Sequence, residues 1–400
     1  MEKQTKDQLI KDLLTRGVAN VIPNKQKLEK LLSSGKKLNV YLGIDPTTTK
    51  MHLGHAFPLR KLQTLSDLGH NVSFLIGDFT TLIGDTSDKD KERPSLTQKQ
   101  INQNFKTYKK QAKKILDFSK IKVVHNGDWL AKLTFTDIVK LCQHFSVGDF
   151  TSRELIRKRL NSGSRVALHE MLYPVMQGYD MHYLKADIQV GGTDQTFNMQ
   201  AGRTLRKDLE NQESFILATS FLTGTDGRKM SKTWRNGIWL TDNPNTMFGK
   251  VMSIKDNLII EYFTLATQTS LEEIKTIKDN LKSGKLEPMP AKKQLALTIT
   301  TELHSIKEAK KAQKEFESVI QGRGVPKNIP SVVIKQKTKL GKILLDQQLV
   351  SSSTNFKRLI KQGAIKIDNQ KIKDIGVIIS PHQEHIVKVG KLRFIKIKSA

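Results

Sequence analysis

Near its N-terminus the chain reads Tyr41-Leu-Gly43-Ile-Asp45-Pro-Thr-Thr-Thr-Lys-Met-His52-Leu-Gly54-His55. The run from Leu38 to Ile44 is short, apolar and β-branched, and it ends in Asp45-Pro46, which predicts a buried strand that leaves its sheet there. From Met51 onward apolar residues recur at helical spacing and stop at Leu68-Gly69, which predicts a helix closed by glycine. We interpret the rest of the chain around this strand, loop and helix.

Two histidines stand at the start of the predicted helix. His52 and His55 are three residues apart, so they share one face of its first turn, beside the positive end of the helix dipole. Free backbone N–H groups at a helix N-terminus, together with two imidazoles, suit a phosphate group. Alternatively, the two histidines only cap the helix or lie on its surface.

A second signature lies far downstream. Lys229-Met230-Ser231-Lys232-Thr233 follows the glycine- and charge-rich segment Thr223–Arg228. Together the two signatures resemble the HIGH and KMSKS motifs of class I aminoacyl-tRNA synthetases, and the residues between them narrow the resemblance to the tyrosyl-tRNA synthetases. The resemblance extends over essentially the whole chain.

The composition is typical of a soluble globular protein with a polyanionic partner. The formal net charge is +28, and residues 337–400 hold 14 Lys or Arg against 4 Asp or Glu. Such an excess favours nucleic acid, although a lysine-rich proteome would also produce it. No apolar run approaches the roughly 20 residues that span a bilayer, and the N-terminus lacks the apolar region of a signal peptide. We therefore expect a cytoplasmic protein without a membrane partner. The single Cys142 excludes an internal disulfide framework and a cysteine-built metal cluster.

The predicted fold class is α/β with a doubly wound parallel sheet. The resemblance implies a Rossmann-like class I synthetase domain, a helical insertion, an α-helical domain on the anticodon side and a small α+β RNA-binding domain of the S-four type. Within the first 35 residues the pattern predicts two helices, and Ile121–Val124 predicts a strand inside the insertion. The expected boundaries are 1–245 for the catalytic domain with its insertion at about 95–165, 246–321 for the helical domain, 322–336 for a linker and 337–400 for the RNA-binding domain.

The resemblance implies that the chain activates an amino acid with ATP. The carboxylate of the amino acid attacks the α-phosphate and expels pyrophosphate, so catalysis depends on positioning and on stabilising charge. ATP is expected as its Mg²⁺ complex, without a tightly bound cofactor and without a metal site built from protein ligands alone. The implied catalytic residues are His52, His55, Lys229, Lys232, Thr233, Lys89 and Arg93. Lys89 and Arg93 are also compatible with a solvated turn.

The resemblance also implies two groups of binding residues. Those for ATP are Gly43, Asp45, Gly54, Gly192, Asp194 and Met230. Those for tyrosine are Tyr41, Asp85, Tyr173, Gln177, Asp180, Gln189 and Gln195. Tyr173, Gln177 and Asp180 are spaced i, i+4 and i+7, which puts them on one helix face. Asp180 and Tyr41 would bind the substrate hydroxyl, and phenylalanine would be rejected because it leaves these polar groups unpaired.

Two positions depart from the family pattern. Leu42 stands where some relatives have a cysteine that touches ribose, so that contact is lost here. Pro58 stands where others have threonine, and proline early in a helix is tolerated. We expect a change in ATP affinity without loss of activity.

The implied partners are L-tyrosine, ATP, tRNA(Tyr) and a second copy of the chain joined through the insertion. Basic residues on predicted helices are candidates for tRNA contact, although they are equally compatible with solvated faces. These candidates are Lys357, Arg358, Lys361, Arg203, Arg206 and Lys207.

Three other functions remain open from the sequence. A tryptophanyl-tRNA synthetase shares both signatures, but Tyr41 with Asp180 and the basic tail argue against it. A nucleotidyltransferase with an HxGH motif would need neither the helix face of Tyr173 nor the tail. A non-enzymatic RNA-binding protein would not require His52, His55, Lys229, Lys232 and Asp194 together.

Overall fold

The structure is a computed structural model that describes residues 5–84, 96–230, 234, 236–320, 329–334, 336–381, 383–390 and 393–399. Five of the predicted site residues lie outside these ranges: Asp85, Lys89, Arg93, Lys232 and Thr233. The chain divides into two compact units, Met1–Asn243 with Lys250–Leu303 and Pro244–Gly249 with His304–Ala400. The domain boundaries expected from the sequence stay a prediction. None of the described helices has the length and apolar character that crossing a membrane requires.

Helices make up most of the regular structure. The first eleven are α1 Lys6–Leu13, α2 Lys25–Ser33, α3 Leu53–Asp67, α4 Thr80–Ile83, α5 Gln98–Ala112, α6 Gly127–Leu130, α7 Phe135–Cys142, α8 Val147–Thr151, α9 Glu154–Asn161, α10 Leu168–Tyr183 and α11 Thr196–Glu210. The others are α12 Pro244–Met252, α13 Ile259–Ala266, α14 Leu271–Lys282, α15 Pro288–Leu303, α16 Ile306–Ile320, α17 Leu340–Asp346 and α18 Ser353–Lys361.

The strands fall into two groups along the chain. The first group is β1 Val18–Ile22, β2 Asn39–Ile44, β3 Asn71–Ile76, β4 Lys122–His125, β5 Ile188–Gly192 and β6 Phe215–Thr219. The second group is β7 Ser331–Ile334, β8 Thr338–Lys339, β9 Ile365–Ile367, β10 Gln370–Lys371, β11 Ile378–Ile379, β12 His385–Val389 and β13 Arg393–Ser399.

The first unit is organised around a six-stranded sheet with the order β1-β6-β5-β2-β3-β4. The five strands from β6 to β4 are parallel, and β1 pairs with β6 in the antiparallel direction. From the central β2 the chain proceeds to β3 and β4 on one side, and later to β5 and β6 on the other. This is the doubly wound arrangement, so the predicted fold class is confirmed.

Two strands of this sheet differ from the sequence-based expectation. β1 was not predicted, because only Val21 of its five residues is buried and the alternation that identifies a half-buried strand is absent. β4 was predicted as a strand inside the helical insertion, but it lies in the central sheet, where Val124 pairs with Leu75. Outside the sheet, the predicted insertion contains α5 and the run of short helices α6 to α9.

The second unit contains a five-stranded sheet with the order β10-β9-β12-β13-β7 and a separate pair, β11-β8. Its core includes side chains from both tail helices and from the sheet, among them Leu344, Phe356 and Val387. The linker predicted at 322–336 needs correction, because its residues Ser331–Ile334 form β7 and pair in parallel with β13. Three consecutive β-branched residues, Val332 to Ile334, favour this strand.

Candidate active site

A cavity of about 880 Å³ opens at the carboxyl ends of β2 and β5. The two strands are neighbours, with Tyr41 paired in register to Gln189, and the winding of the sheet reverses between them. Open α/β sheets bind their ligands at this position. Every predicted catalytic, tyrosine or ATP residue within the described ranges lines this cavity: Tyr41, Gly43, Asp45, His52, Gly54, His55, Tyr173, Gln177, Asp180, Gln189, Gly192, Asp194, Gln195, Lys229 and Met230.

The two histidines form one edge of the cavity. His52 was expected in the first turn of α3, but it is the residue immediately before the helix. His55 lies in the first turn, as expected. Their rings are 3.8 Å apart between centroids, and the backbone N–H of His52 donates to His55 Nδ1 at 3.1 Å. Burial lowers the pKa of His55 to about 4. Burial, followed by the neighbouring His55 and Lys229, lowers the pKa of His52 well below its usual value. Both imidazoles are therefore neutral at pH 7.

Gly54 is required between the histidines by the close approach of one ring. A Cβ atom at this position would lie 2.9 Å from His52 Nδ1, closer than side chains tolerate. That buried Nδ1 makes no hydrogen bond to any described residue. A buried polar atom without a partner is costly, so this nitrogen is suited to a ligand in the cavity.

The loop after β6 meets the histidine segment through backbone hydrogen bonds. Leu53 N donates to Ile238 O at 2.9 Å, and Leu240 N donates to Met51 O at 2.9 Å. These bonds bring the two signatures of the sequence together. Lys229 Nζ lies 3.3 Å from Asp194 Oδ2 and 4.4 Å from the ring centroid of Phe221. The arrangement places a cation next to the carboxylate that follows β5.

Asp180 is held at the deep end of the cavity and is only 2% exposed. Trp129 Nε1 donates to its Oδ1 at 2.8 Å, and Asn126 Nδ2 donates to its Oδ2 at 3.2 Å. Burial raises the pKa of Asp180 to about 8, although these two hydrogen bonds act in the opposite direction. Burial, and then Asp180, raises the pKa of Tyr41 well above its usual value.

Asn126 and Trp129 were not identified from the sequence. Asn126 directly follows β4, and its Nδ2 also donates to Thr80 Oγ1 at 3.1 Å. The rule that parallel strands present functional residues at their carboxyl ends would have found it, had β4 been assigned to the central sheet.

Two predicted residues with different expected partners contact each other. The hydroxyl of Tyr173 donates to Asp45 Oδ2 at 3.0 Å, and Thr80 Oγ1 donates to Asp45 Oδ1 at 2.9 Å. Asp45 was expected to bind ATP and Tyr173 to bind the tyrosine ammonium group. Gln189 Oε1 is buried and has no hydrogen-bond partner among the described residues, so it is suited to a donor on a ligand.

Comparison with known proteins agrees with this geometry. Residues 33–321 match the family of class I tRNA synthetases (W and Y), and residues 321–395 match the tyrosine–tRNA ligase SYY-like C-terminal domain. A tyrosine–tRNA ligase from Carboxydothermus hydrogenoformans is 42% identical, over 96% of this chain and 97% of that protein. This chain belongs to the tyrosine–tRNA ligase family. The tyrosine–tRNA ligase of Thermotoga maritima is 39% identical, over 96% of each chain.

Solved structures of tyrosyl-tRNA synthetases share the fold. The enzyme from Archaeoglobus fulgidus, complexed with L-tyrosine, has a TM-score of 0.61 at 22% identity and covers 78% of this chain and 100% of its own. A C-terminally truncated mitochondrial enzyme from Aspergillus nidulans has a TM-score of 0.65 at 21% identity and covers 78% of this chain and 94% of its own. At such identities the similarity concerns the fold alone.

The two positions at which this chain departs from the expected family pattern both line the cavity. Leu42 lies on β2, and Pro58 lies inside α3, which continues past it to Asp67. The helix therefore tolerates proline in its second turn, as expected.

The basic residues of this family member differ in exposure. Lys357, Arg358 and Lys361 are exposed on α18. Arg206 needs correction as a tRNA candidate, because it is 4% exposed and ion-paired with Glu210. Helical periodicity identifies a face, but it does not tell which face packs against the sheet. Arg203 is partly buried and donates through Nε to Ser214 O at 2.9 Å, whereas Lys207 is exposed.

Proposed function

We propose that this chain activates L-tyrosine with ATP, forming tyrosyl-adenylate and pyrophosphate, and then transfers the tyrosyl group to the 3′ end of tRNA(Tyr). One observation carries the proposal. Residues from the two distant signatures, from β2, from α10 and from the end of β5 line a single cavity at the switch point of the sheet. That cavity has neutral donors and a cation at one end and a buried carboxylate at the other.

The chemistry of activation fits these groups. The tyrosine carboxylate is already a nucleophile, so the site needs to align it with the α-phosphate and to stabilise negative charge on the phosphoryl oxygens. His52 and His55 act as neutral hydrogen-bond donors to the phosphates, because their lowered pKa values keep them unprotonated near pH 7. Lys229 supplies positive charge. We propose that Lys232, Thr233, Lys89 and Arg93 assist the leaving pyrophosphate, and that ATP binds as its Mg²⁺ complex.

The opposite end of the cavity determines the amino acid. We propose that Asp180 and Tyr41 bind the hydroxyl of the substrate, and that Tyr173, Gln177 and Asp85 bind its ammonium group. Trp129 and Asn126 fix the Asp180 carboxyl in one orientation. A phenylalanine ring in this place would leave a buried carboxyl group and a buried phenol without their partner, which disfavours its binding.

The decisive experiment is tyrosine-dependent exchange between ATP and pyrophosphate. Tyrosine, phenylalanine and tryptophan are compared in parallel, with Asp180→Ala as the variant of the specificity group. We expect exchange with tyrosine only, and its loss in Asp180→Ala. A folded protein that binds tRNA but shows no exchange with any of the three amino acids would refute the proposal.

We further propose that the enzyme is a cytoplasmic homodimer joined through the insertion. Three large apolar side chains of α7, α8 and α10 are strongly exposed in the single chain: Phe135 is 81% exposed, Val147 79% and Leu168 80%. Apolar side chains exposed to this extent are buried when a second copy of the chain covers them, which supports the proposed interface. Sedimentation of the parent should give a dimer, and Phe135→Glu with Val147→Glu should give a monomer. Met289→Glu, at a 50% exposed site on α15, is the control. A monomeric parent at micromolar concentration contradicts this proposal.

A further inference from the structure

One residue at the start of the catalytic loop is held by two neighbouring side chains of α13. The Thr223 backbone N–H donates to Glu261 Oε1 at 2.5 Å, and its hydroxyl donates to Glu261 Oε2 at 3.0 Å. The hydroxyl of Tyr262 donates to the Thr223 carbonyl at 2.7 Å. The backbone N–H, the backbone carbonyl and the side chain of one loop residue are thus fixed to a single helix. We call these three residues the Thr223 clamp.

The clamp is connected directly to Lys229. Thr223 and Lys229 form an antiparallel bridge, and within it Gly224 N donates to Arg228 O at 2.6 Å. The buried Asn236 closes the other side, since its Nδ2 donates to Lys229 O at 3.1 Å. The backbone position of Lys229 therefore depends on where Thr223 is held.

The clamp does not touch the cavity. Neither Glu261 nor Tyr262 is among the lining residues, and Tyr262 is fully buried. Their effect on the reaction must pass through the loop. A cation on a long side chain stabilises a charge only if its backbone is held at the correct distance, and an error of about 1 Å can reduce a rate by about 100-fold.

We propose that Glu261, with Tyr262, is a positioning residue that sets the place of Lys229 for the activation step. The proposal rests on the proposed function, because it assigns Glu261 a role through Lys229. The clamp fixes Thr223, and the backbone bridge between Thr223 and Lys229 then fixes the backbone of the lysine. The tyrosine end of the cavity is outside its reach, so tyrosine binding does not depend on it.

The test is a double-mutant cycle on the full-length protein. Glu261→Leu removes both acceptors of the clamp, whereas Glu261→Gln keeps an acceptor for the backbone N–H and a partner for the Thr223 hydroxyl. Each is made in the parent and in the Lys229→Met background. Exchange rate constants, the KM for ATP and the dissociation constant of tyrosine are measured at a temperature at which every variant is folded.

We expect Glu261→Leu to lower the exchange kcat by about 10-fold to 100-fold in the parent, with the tyrosine dissociation constant unchanged. In the Lys229→Met background the same substitution should change kcat by less than about 3-fold, a loss of coupling that marks action through Lys229. Glu261→Gln should stay within about 3-fold of the parent, because it preserves the geometry of the clamp. Equal losses in both backgrounds, or a parent-like rate for Glu261→Leu, would overturn the proposal.

A second readout is independent of activity. Hydrogen–deuterium exchange of the backbone amides from 223 to 230 should be faster in Glu261→Leu and in Tyr262→Phe than in the parent. If the rates of these amides were unchanged in both variants, the clamp would be contradicted. The control is Asp187→Leu, which removes a carboxylate that accepts the Asn39 N–H at 2.8 Å at the amino end of the sheet. It should leave residues 223–230 unaffected. If the parent lacked exchange activity with every amino acid, the proposed function would fail, and amide exchange would still decide whether the clamp holds the loop.

Discussion

At the scale of single residues, Asp180 combines a proposed binding role with a cost in stability. Its pKa rises from 3.8 to about 8 on burial in the folded chain. Between those pH values the folded state holds a proton that the unfolded state has released. The free energy of unfolding that this group contributes therefore falls as pH rises from about 4 to about 8, and the change ends above pH 8.

This fall in the free energy of unfolding with rising pH leads to a prediction for Asp180→Asn. Relative to the parent, the variant should gain stability between pH 5 and pH 8, by on the order of 1 kcal/mol per pH unit, while tyrosine-dependent exchange is lost. Thermal unfolding of both proteins across this range measures the effect. Asp137→Asn is the control, because hydrogen bonds from Thr134 lower the pKa of Asp137, and it should show no such gain. A stability difference for Asp180→Asn that does not depend on pH would contradict the raised pKa.

The histidine pair leads to a second residue-scale prediction. Because the pKa of His55 is lowered to about 4, this ring takes up a proton only as pH falls toward 4. The kcat/KM for ATP, which reports groups of the free enzyme, should therefore show no histidine-dependent break near pH 6.5, and a decline attributable to His55 should begin only below about pH 5. Rate profiles of the parent and of His55→Asn between pH 4.5 and 7.5 test this. A break near 6.5 that disappears in His55→Asn would show that the ring titrates normally.

At the scale of elements, a buried ion pair connects α9 to α10, the helix that carries the proposed tyrosine-binding residues. Arg159 donates to both oxygens of Glu170, at 2.6 and 3.0 Å. Glu170 is 0% exposed and also accepts the Ala167 N–H at the start of α10 at 2.9 Å. The carboxylate thus joins the insertion to the first turn of α10.

We predict that Arg159→Met destabilises the protein by about 3 to 5 kcal/mol, because it removes a guanidinium that is hydrogen-bonded to both oxygens of a buried carboxylate. The double variant Arg159→Met with Glu170→Leu should recover most of this loss, since it removes both charges together. Chemical denaturation of the two variants and the parent measures the difference. If the double variant were as unstable as the single one, packing of α9 rather than the buried charge would be responsible.

The predicted and observed elements can be compared to see which ones the sequence identifies. The buried strand β2 and the helix α3 were predicted close to their observed bounds, because an apolar run identifies the strand and a hydrophobic period identifies the helix. β1 escaped prediction because its burial does not alternate, and β7 because it pairs with a strand more than 60 residues later. Which strand lies beside which is a tertiary property that local patterns do not contain.

The same limit applies to the site. The family resemblance identified residues that line the cavity, but not the side chains that hold them. Trp129 and Glu261 make contacts with residues that are distant in sequence, and no local pattern marks them, whereas Asn126 is marked only by its place directly after β4. Arg206 was misassigned for the related reason that the fold decides which face of a helix is buried against its neighbours.

At the scale of the whole molecule, the two compact units suggest that activation and tRNA recognition can be separated by mutation. We predict that Lys357→Ala, Arg358→Ala and Lys361→Ala together leave tyrosine-dependent exchange unchanged but weaken tRNA binding and flatten its dependence on salt, because fewer counter-ions are released. The measurements are the ATP–pyrophosphate exchange rate, the aminoacylation rate and the tRNA affinity. The affinity is measured at 50 and 200 mM salt, about a fourfold range.

The matched control substitutes three exposed lysines of α1 and α2 in the first unit, Lys6, Lys11 and Lys30. Equal losses of tRNA affinity in the two triple variants would indicate a general charge effect and not a binding site on α18.

The backbone bonds between residues 51–53 and 238–240 also constrain how the protein is made. They join segments that are nearly half the chain apart, and long-range contacts of this kind form late in folding because a large loop must close first. During synthesis the histidine segment leaves the ribosome well before its partner. A nascent chain shorter than about 240 residues therefore has no complete nucleotide site, and it must keep α3 and the edge of β2 from aggregating until the second signature has been translated.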